Sequence, residues 1–375
     1  MMLVGLVLAG APLAWVGYRH RSAPLHRRLQ ALTLLTLFLT FDLVLFGAFT
    51  RLTDSGLGCP DWPGCYGHAS PAGAIEHIAA AQSAMPTGPV THGKAWVEMV
   101  HRYLATSVGV LILVLAAASW LPRWRQRAGL SVNPWWPTVT LVWVCLQGAF
   151  GALTVTMKLF PAIVTLHLLG GLALLALLCV QVVKTSQLAE ESPPIGISTG
   201  LRRLLWIALA LLVGQITLGG WVSTNYAVLA CSDFPKCQNS WWPLMDFQQG
   251  FEIWRALGLT SSGEHIGFSA LTAIHYSHRL MAILVFVVLA LLSWRLNRVT
   301  ALRAPSRWLA GLISLQLVTG LSNVVLDWPL VAAVLHTGGA GALVMVMTWA
   351  LTASHTRTPP HVGADLDISV PRAPA

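Results

Sequence analysis

Residues 47–65 read GAFTRLTDSGLGCPDWPGC, and residues 219–237 read GGWVSTNYAVLACSDFPKC. The two stretches align without gaps at an offset of 172 positions, with six identical residues. The identical pairs are Gly47/Gly219, Leu57/Leu229, Cys59/Cys231, Asp61/Asp233, Pro63/Pro235 and Cys65/Cys237. A second match lies downstream, because Gln147 and Gln316 precede His167 and His336, respectively, by 20 residues. Internal repeats of this kind predict two homologous halves.

The composition places the chain in the membrane class. Of its 375 residues, 55% are hydrophobic and 10% are charged, whereas soluble domains carry charges on about a quarter of their residues. Nine apolar segments come close to the length of a bilayer crossing, roughly 20 residues. They lie at about 2–18, 29–50, 96–118, 137–157, 161–183, 203–224, 268–292, 307–326 and 329–351. Such runs exclude a β-barrel, whose strands are shorter and alternate in polarity, so the sequence predicts an all-α transmembrane fold.

The last eight segments divide into two sets of four that run in the same direction. We therefore predict two pseudo-symmetric four-helix bundles in parallel repeat, with eight core helices. The extra N-terminal segment is interpreted as an uncleaved helix with its N-terminus outside, and a peripheral, weakly inserted segment is the alternative. The predicted parts are the extra segment with its basic turn at 1–28, a first bundle at 29–188, a cytoplasmic linker at 189–202, a second bundle at 203–353 and a disordered cytoplasmic tail at 354–375.

The basic residues are unevenly distributed among the connections. Lys and Arg number 23 against 14 Asp and Glu, which gives a net charge of +9. Most of them lie in every second connection and in the tail, which the positive-inside rule assigns to the cytoplasm. The long loops at 51–95 and 225–267 are then outside, as expected for a multi-pass protein of a bacterial-type inner membrane. The basic excess reports topology in a lipid bilayer, and no nucleic-acid partner is expected.

Four of the six cysteines form two C-x5-C pairs on the predicted outer side, Cys59 with Cys65 and Cys231 with Cys237. That side of the membrane is oxidising and permits disulfides. Metal binding is the alternative, but no histidine with zinc-like spacing accompanies the pairs. The sequence therefore favours a disulfide within each loop, and leaves open whether the disulfides are structural or redox-active.

Five histidines fall within membrane segments, where ionisable side chains are costly and usually functional. Four occupy repeat-related positions: His101 and His278 in the second segment of each bundle, and His167 and His336 in the fourth. Three of them lie five to seven residues inside the outer ends of their segments, at a depth of roughly 8–10 Å. His278 is expected to lie a little deeper. Two imidazoles at one depth on facing helices are typical of bis-histidine haem ligation, whereas zinc or iron alone would need more ligands.

The halves differ three residues before the first histidine of each pair. Glu98 precedes His101 in the first half, and His275 takes the equivalent place before His278 in the second. Residues three apart share a helix face. Glu98 is therefore the candidate group that accepts or relays protons during an oxidation, and His275 is a candidate partner beside the second haem. This asymmetry predicts that the first site performs chemistry while the second transfers electrons.

An arginine follows the first histidine of each pair, Arg102 in the first half and Arg279 in the second. Guanidinium groups bind carboxylates well, so both are candidate contacts to haem propionates. The alternative is that their side chains reach outward to the lipid headgroups.

These motifs together resemble the haem A synthase family, and the resemblance covers about residues 29–352. It is carried by the long motif at 47–65, E-x-x-H-R at Glu98 to Arg102, the segment from Leu146 to His167 that ends in TLH, H-x-x-H-R at His275 to Arg279, and LHTG at Leu335 to Gly338. The first motif is long and highly specific, and the others follow in the expected order.

The resemblance implies oxidation of the C8 methyl of haem O to the formyl group of haem A. It further implies that His101 and His167 flank the substrate haem O, with Glu98 as the catalytic acid–base. His278 and His336 would then ligate the iron of a haem B cofactor. The implied partners are a haem O synthase as supplier, the assembly of a terminal haem-copper oxidase as recipient, and an electron acceptor or donor such as quinone. A homo-oligomer is left open.

Two other functions compete with this interpretation. A dihaem cytochrome b-like electron carrier or quinol-oxidising subunit would use the same four histidines, but it does not explain Glu98 opposite His275. A transporter with parallel repeats is the second alternative. Transport sites usually need broken helices at the membrane midplane, whereas these histidines lie nearer one face.

Overall fold

A computed structural model of the protein describes residues 2–124 and 133–356. Within these residues, nine helices are long and apolar enough to cross a membrane, which confirms the predicted all-α transmembrane fold. The short helices α3 and α8 lie in the two long loops. In chain order the helices are α1 (Met2–Arg19), α2 (Leu25–Leu52), α3 (Ile75–Ala84), α4 (His92–Trp124), α5 (Trp135–Thr156), α6 (Pro161–Ala189), α7 (Thr199–Thr224), α8 (Phe247–Gly250), α9 (Phe268–Asn297), α10 (Arg303–Val325) and α11 (Leu330–Ala353).

Each half forms a closed ring of four helices. In the first half α2 packs on α4, α4 on α5, α5 on α6, and α6 back on α2. The second half repeats this order with α7, α9, α10 and α11. Equivalent helices therefore carry equivalent contacts, as expected for a duplicated bundle.

The two rings share one apolar interface. Helix α6 contacts α7, α11 contacts α2, and α6 and α11 contact each other. One buried cluster spans the junction and includes Leu172 and Leu175 of α6, Leu205 of α7, and Leu343 and Met347 of α11. Small residues allow close approach of helices in a bilayer. At Gly338 of α11, for example, a Cβ would lie 2.4 Å from Cδ2 of Leu45 of α2, so a larger residue would require this leucine to move.

The turns between α5 and α6 and between α10 and α11 are tight. Lys158 and Leu159 in the first turn adopt positive φ, as do Asp327 and Trp328 in the second. A proline follows each turn, at the first residue of α6 or just before α11. Proline suits a helix start because its missing N–H would have no intrahelical partner there. Both turns return the chain directly, so that the last helix of each bundle packs against the third.

The linker between the halves contains a short strand, β1 (Ile195–Ile197), which pairs in parallel with β2 (Ser354–Thr356). Arg202 at the start of α7 also donates a hydrogen bond to the carbonyl of Ser354 at 2.8 Å. The first residues of the expected disordered tail are therefore ordered, because their backbone pairs with the linker. The rest of the expected tail, 357–375, lies outside the described residues.

The extra N-terminal segment forms a helix, α1, as predicted, and it packs mainly against α4. The contact is close: a Cβ at Gly5 would lie 2.5 Å from the side chain of Thr106. Ala9 and Val16 are buried together with Leu111 and Leu115 of α4. The segment is thus part of the outer wall of the first bundle.

Candidate functional site

The four repeat-related histidines form two pairs, one inside each ring. His101 of α4 and His167 of α6 lie close enough to interact electrostatically, and so do His278 of α9 and His336 of α11. Each pair joins the second and fourth helices of its ring, which are not sequence neighbours. The structure thus brings the predicted ligands together within each half.

The two pairs lie at matching positions along their helices. His101 lies nine residues after the start of α4, and His278 ten residues after the start of α9. His167 and His336 each lie six residues after the start of their helices. Counted from the helix starts, His278 lies one residue farther in than His101, a smaller difference than the apolar runs gave, because α4 begins at His92, before the apolar run that marked it in the sequence. The depth of His278 in the bilayer stays a prediction.

Each of these histidines faces a glycine of the neighbouring helix. A Cβ placed on that glycine would lie 2.9–3.3 Å from the nearest atom of the imidazole. The pairs are Gly47 with His101, Gly151 with His167, Gly219 with His278, and Gly320 with His336. Glycine lets backbone approach a ligand closely, so each ring of helices presents a bare backbone surface beside each of its two imidazoles.

A glutamine holds the backbone at the second histidine of each pair. The side-chain amide of Gln147 donates to the carbonyl of His167 at 2.7 Å, and that of Gln316 donates to the carbonyl of His336 at 2.8 Å. These are the glutamines that the repeat places 20 residues before each histidine. Their bonds tie the third helix of each ring to the fourth at the depth of the imidazole.

The second half adds hydrogen bonds to the imidazole rings themselves. Nδ1 of His336 lies 2.9 Å from the hydroxyl of Thr319, and Nδ1 of His278 lies 3.0 Å from the side-chain amide of Gln215. The oxygen of that same amide, Oε1 of Gln215, is buried without a hydrogen-bond partner. Neither residue was singled out in the sequence.

Glu98 and Arg102 form a buried ion pair in the first half. Oε1 of Glu98 accepts from Nη2 of Arg102 at 2.5 Å, and Oε2 accepts from the backbone N–H of Cys59 at 2.7 Å. Of the Asp and Glu residues in the described ranges, Glu98 alone is buried, with 4% of its surface exposed. Nη1 of Arg102 donates to three carbonyls of the disulfide loop, those of Asp61, Pro63 and Gly64.

His275 and Arg279 occupy the same places in the second half. Nε of Arg279 donates to Nε2 of His275 at 3.1 Å. Because a guanidinium can only donate, Nδ1 of His275 carries the proton and donates to the carbonyl of Ala227 at 2.9 Å. The remaining N–H groups of Arg279 donate to the loop carbonyls of Cys231, Asp233 and Lys236. Both arginines therefore hold the outer loops, and their contact to haem propionates stays a prediction.

The two long loops have the predicted disulfides, Cys59 with Cys65 and Cys231 with Cys237. An aspartate closes each loop by accepting two backbone N–H bonds; in the second loop Asp233 accepts from Gln238 and Asn239 at 2.7 and 2.9 Å. Partial burial raises the pKa of Asp233, but these N–H groups outweigh it and bring the pKa below its ordinary value of 3.8.

The donor set of each pair fits haem. Within the described residues no group of three or more His, Cys, Asp or Glu converges to hold a bare metal ion. Two facing imidazoles suffice for haem iron, because the porphyrin supplies the other four ligands. The glycines, at which a Cβ would lie only 2.9–3.3 Å from an imidazole, provide flat backbone for a planar group.

Comparison with known proteins decides the family. A family model described as "Cytochrome oxidase assembly protein" (COX15-CtaA) matches residues 30–348. The chain belongs to this family. Within the cytochrome oxidase assembly family, a relative from Shewanella oneidensis named Heme A synthase is 38% identical over 313 residues, covering 84% of this chain and 92% of the relative. Relatives of the same name from Alkalihalophilus pseudofirmus and Granulibacter bethesdensis are 26% and 28% identical, covering 83% and 91% of this chain and 92% and 91% of themselves.

The match to the cytochrome oxidase assembly family includes both rings and leaves out α1. All four histidines, Glu98 and the two disulfide loops lie inside the matched residues. The site residues therefore belong to the part of the chain that this family shares.

Proposed function

We propose that this protein is a haem A synthase, which oxidises the C8 methyl of haem O to the formyl group of haem A. The observation that carries the proposal is the asymmetry of the two rings. Both contain a facing histidine pair, but only the first has a buried carboxylate, Glu98, one helical turn from a histidine. The relatives named Heme A synthase support the same activity.

In this proposal the first ring binds the substrate haem O between His101 and His167. The second ring binds a haem B cofactor between His278 and His336. When bound, haem B would supply a one-electron carrier within the membrane. The first site is left with the tasks that the protein itself must perform: orienting the C8 methyl and accepting protons.

Glu98 is the proposed acid–base group. With water as the source of the formyl oxygen, oxidation of a methyl to a formyl group releases four protons and four electrons. The electrons pass to the acceptor, and the protons must leave a site that lies inside the bilayer. The carboxylate of Glu98 is held by Arg102 and by the N–H of Cys59. Both partners connect it to the disulfide loop, so Glu98 lies at the end of the site that borders this loop. His275 in the second ring is neutral and bonded at both ring nitrogens, which suits a structural role.

The cellular setting is also proposed. The chain would lie in a bacterial-type inner membrane with the disulfide loops on the periplasmic side, as the distribution of basic residues indicates. A haem O synthase would supply the substrate, and a terminal haem-copper oxidase under assembly would receive the product. A quinone is the proposed electron acceptor.

The test replaces Glu98 and His275, which occupy equivalent places in the two rings, by glutamine in separate variants. Glu98→Gln removes proton transfer, whereas His275→Gln makes the matched change in the other ring. We expect Glu98→Gln to accumulate haem O or a partly oxidised product with the haem B spectrum retained, and His275→Gln to convert at a rate much closer to wild type. The measurement is extraction of haems from membranes, followed by chromatography and mass analysis. Normal haem A yield in Glu98→Gln, or a larger defect in His275→Gln, would contradict the assignment of chemistry to the first ring.

A further inference from the structure

The two rings differ in how firmly their histidine rings are held. In the second ring, side chains of two neighbouring helices contact Nδ1 of both histidines: Thr319 at His336, and Gln215 at His278. In the first ring, the repeat offsets place Phe150 and Leu43 at these positions. Apolar side chains cannot form either bond.

Thr319 determines which nitrogen of His336 carries the proton. The hydroxyl donates to the carbonyl of Leu315 at 2.8 Å, so its single proton is used on a group that can only accept. Its oxygen must therefore accept from Nδ1–H of His336 at 2.9 Å. This leaves Nε2 unprotonated and ready to ligate iron. The hydroxyl is buried, with 4% of Thr319 exposed, so water does not compete for the bond.

The histidines of the first ring have weaker restraints. The amide of Gln147 lies 3.4 Å from Nδ1 of His167, which is at the limit of a hydrogen bond, and its short bond goes to the backbone carbonyl instead. In the described part of the chain, no hydrogen bond reaches the ring of His101; its ring stacks on Phe46 with centroids 6.3 Å apart. Among the described residues, neither imidazole has a hydroxyl that accepts from its Nδ1.

We infer that Thr319 is a positioning residue that makes the second ring a retained haem site through His336. The reason is that groups which orient a ligating histidine and raise its basicity strengthen metal binding, and their loss typically costs about 10–100-fold in affinity. The first ring, which has Phe150 in place of Thr319, is built for a haem that enters as substrate and leaves as product. This inference rests on the proposed function and assigns the two roles to specific side chains.

The experiment measures haem retention in the purified full-length protein. Thr319→Val removes the hydroxyl while keeping the shape, and Thr319→Ser restores it. Ser322→Ala removes another α10 hydroxyl, one that bonds only within its own helix. Apomyoglobin in excess serves as haem acceptor, and transfer of haem B is followed by absorbance, while electron paramagnetic resonance reports the axial ligand field. We expect Thr319→Val to lose haem B roughly 10–100-fold faster with altered low-spin g-values, and the other two variants to resemble wild type.

Two outcomes separate this inference from the proposed function. If wild type holds haem B but Thr319→Val retains it as long, with the same g-values, the role of Thr319 is refuted and the proposed function stands. If wild type contains no haem B, or keeps it when His278 and His336 are replaced, the second ring is not the haem B site. The proposed function and the inference that rests on it are then both wrong. A loss of haem in Thr319→Ser equal to that in Thr319→Val would show a packing effect and would also overturn the inference.

Discussion

Replacing Gly219 by alanine tests whether the glycines beside the histidines are there for space. The added methyl would lie 2.9 Å from Cε1 of His278, which is closer than carbon atoms pack. His278 cannot move away freely, because Gln215 bonds both its ring and its carbonyl. The methyl therefore displaces either the imidazole or helix α7.

The size of the effect follows from two opposing contributions. Alanine in place of glycine favours a helix by about 0.5–1 kcal/mol. Overpacking a tight site costs about 1–3 kcal/mol. We therefore expect Gly219→Ala to lower the free energy of unfolding by up to about 2 kcal/mol. Because each 1.4 kcal/mol corresponds to about tenfold in binding, an equal penalty on the oriented imidazole would weaken haem binding by up to about thirtyfold.

The assay measures haem content per protein and thermal unfolding in detergent for alanine substitutions at all four glycines that lie beside the histidines. The methyl would lie 3.0 Å from His101 at Gly47, 3.1 Å from His336 at Gly320 and 3.3 Å from His167 at Gly151, so the defects should decrease in that order. Gly311→Ala on α10 is the matched control, since nothing lies within 4 Å of its Cβ position.

The outcome that would refute the reasoning is specific. If Gly219→Ala keeps wild-type haem content and gains stability like Gly311→Ala, the imidazole has room to reorient, and the close approach is not what selects glycine. A uniform loss across all variants, including Gly311→Ala, would point to a general sensitivity of these helices.

Two further predictions concern the outer surface. Tyr226→Phe removes the hydrogen bonds of the hydroxyl to Asp54 at 2.6 Å and to Arg51 at 3.0 Å, which link the rings. Because Tyr226 is 45% exposed, the free energy of unfolding in detergent should fall by only about 0.5–1 kcal/mol. A fall of more than about 3 kcal/mol would mean that this link holds the rings together. The Asp233 carboxylate has a lowered pKa, so its contribution to the second loop is present above pH 3.8 and is lost as the pH falls below that value. The protection of the loop amides, relative to their intrinsic exchange rates, should therefore fall at low pH. Asp233→Asn should lower this protection already at neutral pH, and unchanged protection in that variant would speak against this role.

The fold was predictable because a bilayer restricts the choices. Apolar runs of sufficient length must be helices in lipid, and the repeat at 47–65 and 219–237 revealed the duplication. Helix ends were less certain, since α4 continues outward to His92 through polar residues that hydropathy does not mark. The order of residues 354–356 was missed because a three-residue strand has no signal without its partner in the linker.

The histidine pairs could be predicted from the repeat, and their surroundings only in part. The repeat did contain Gly47 and Gly219, but their contact with the imidazoles depends on which helices become neighbours. Thr319 could not be found because threonine in a membrane helix usually bonds its own helix. For the arginines after His101 and His278, the sequence indicated haem propionates as candidate partners and lipid headgroups as the alternative. The structure shows that both donate to loop carbonyls, which the sequence could not reveal because these positions depend on the folded disulfide loops. Their contact to haem propionates stays a prediction.

The pairing of β1 with β2 has a practical consequence for attaching probes. Because the two strands run in parallel, the backbone leaving Thr356 emerges beside the start of α7, at the junction of the two rings. A fluorophore or affinity label joined after this point therefore reports from that junction. Truncation before Ser354 would remove both β2 and the carbonyl that accepts from Arg202. The linker between the rings would then lose these contacts.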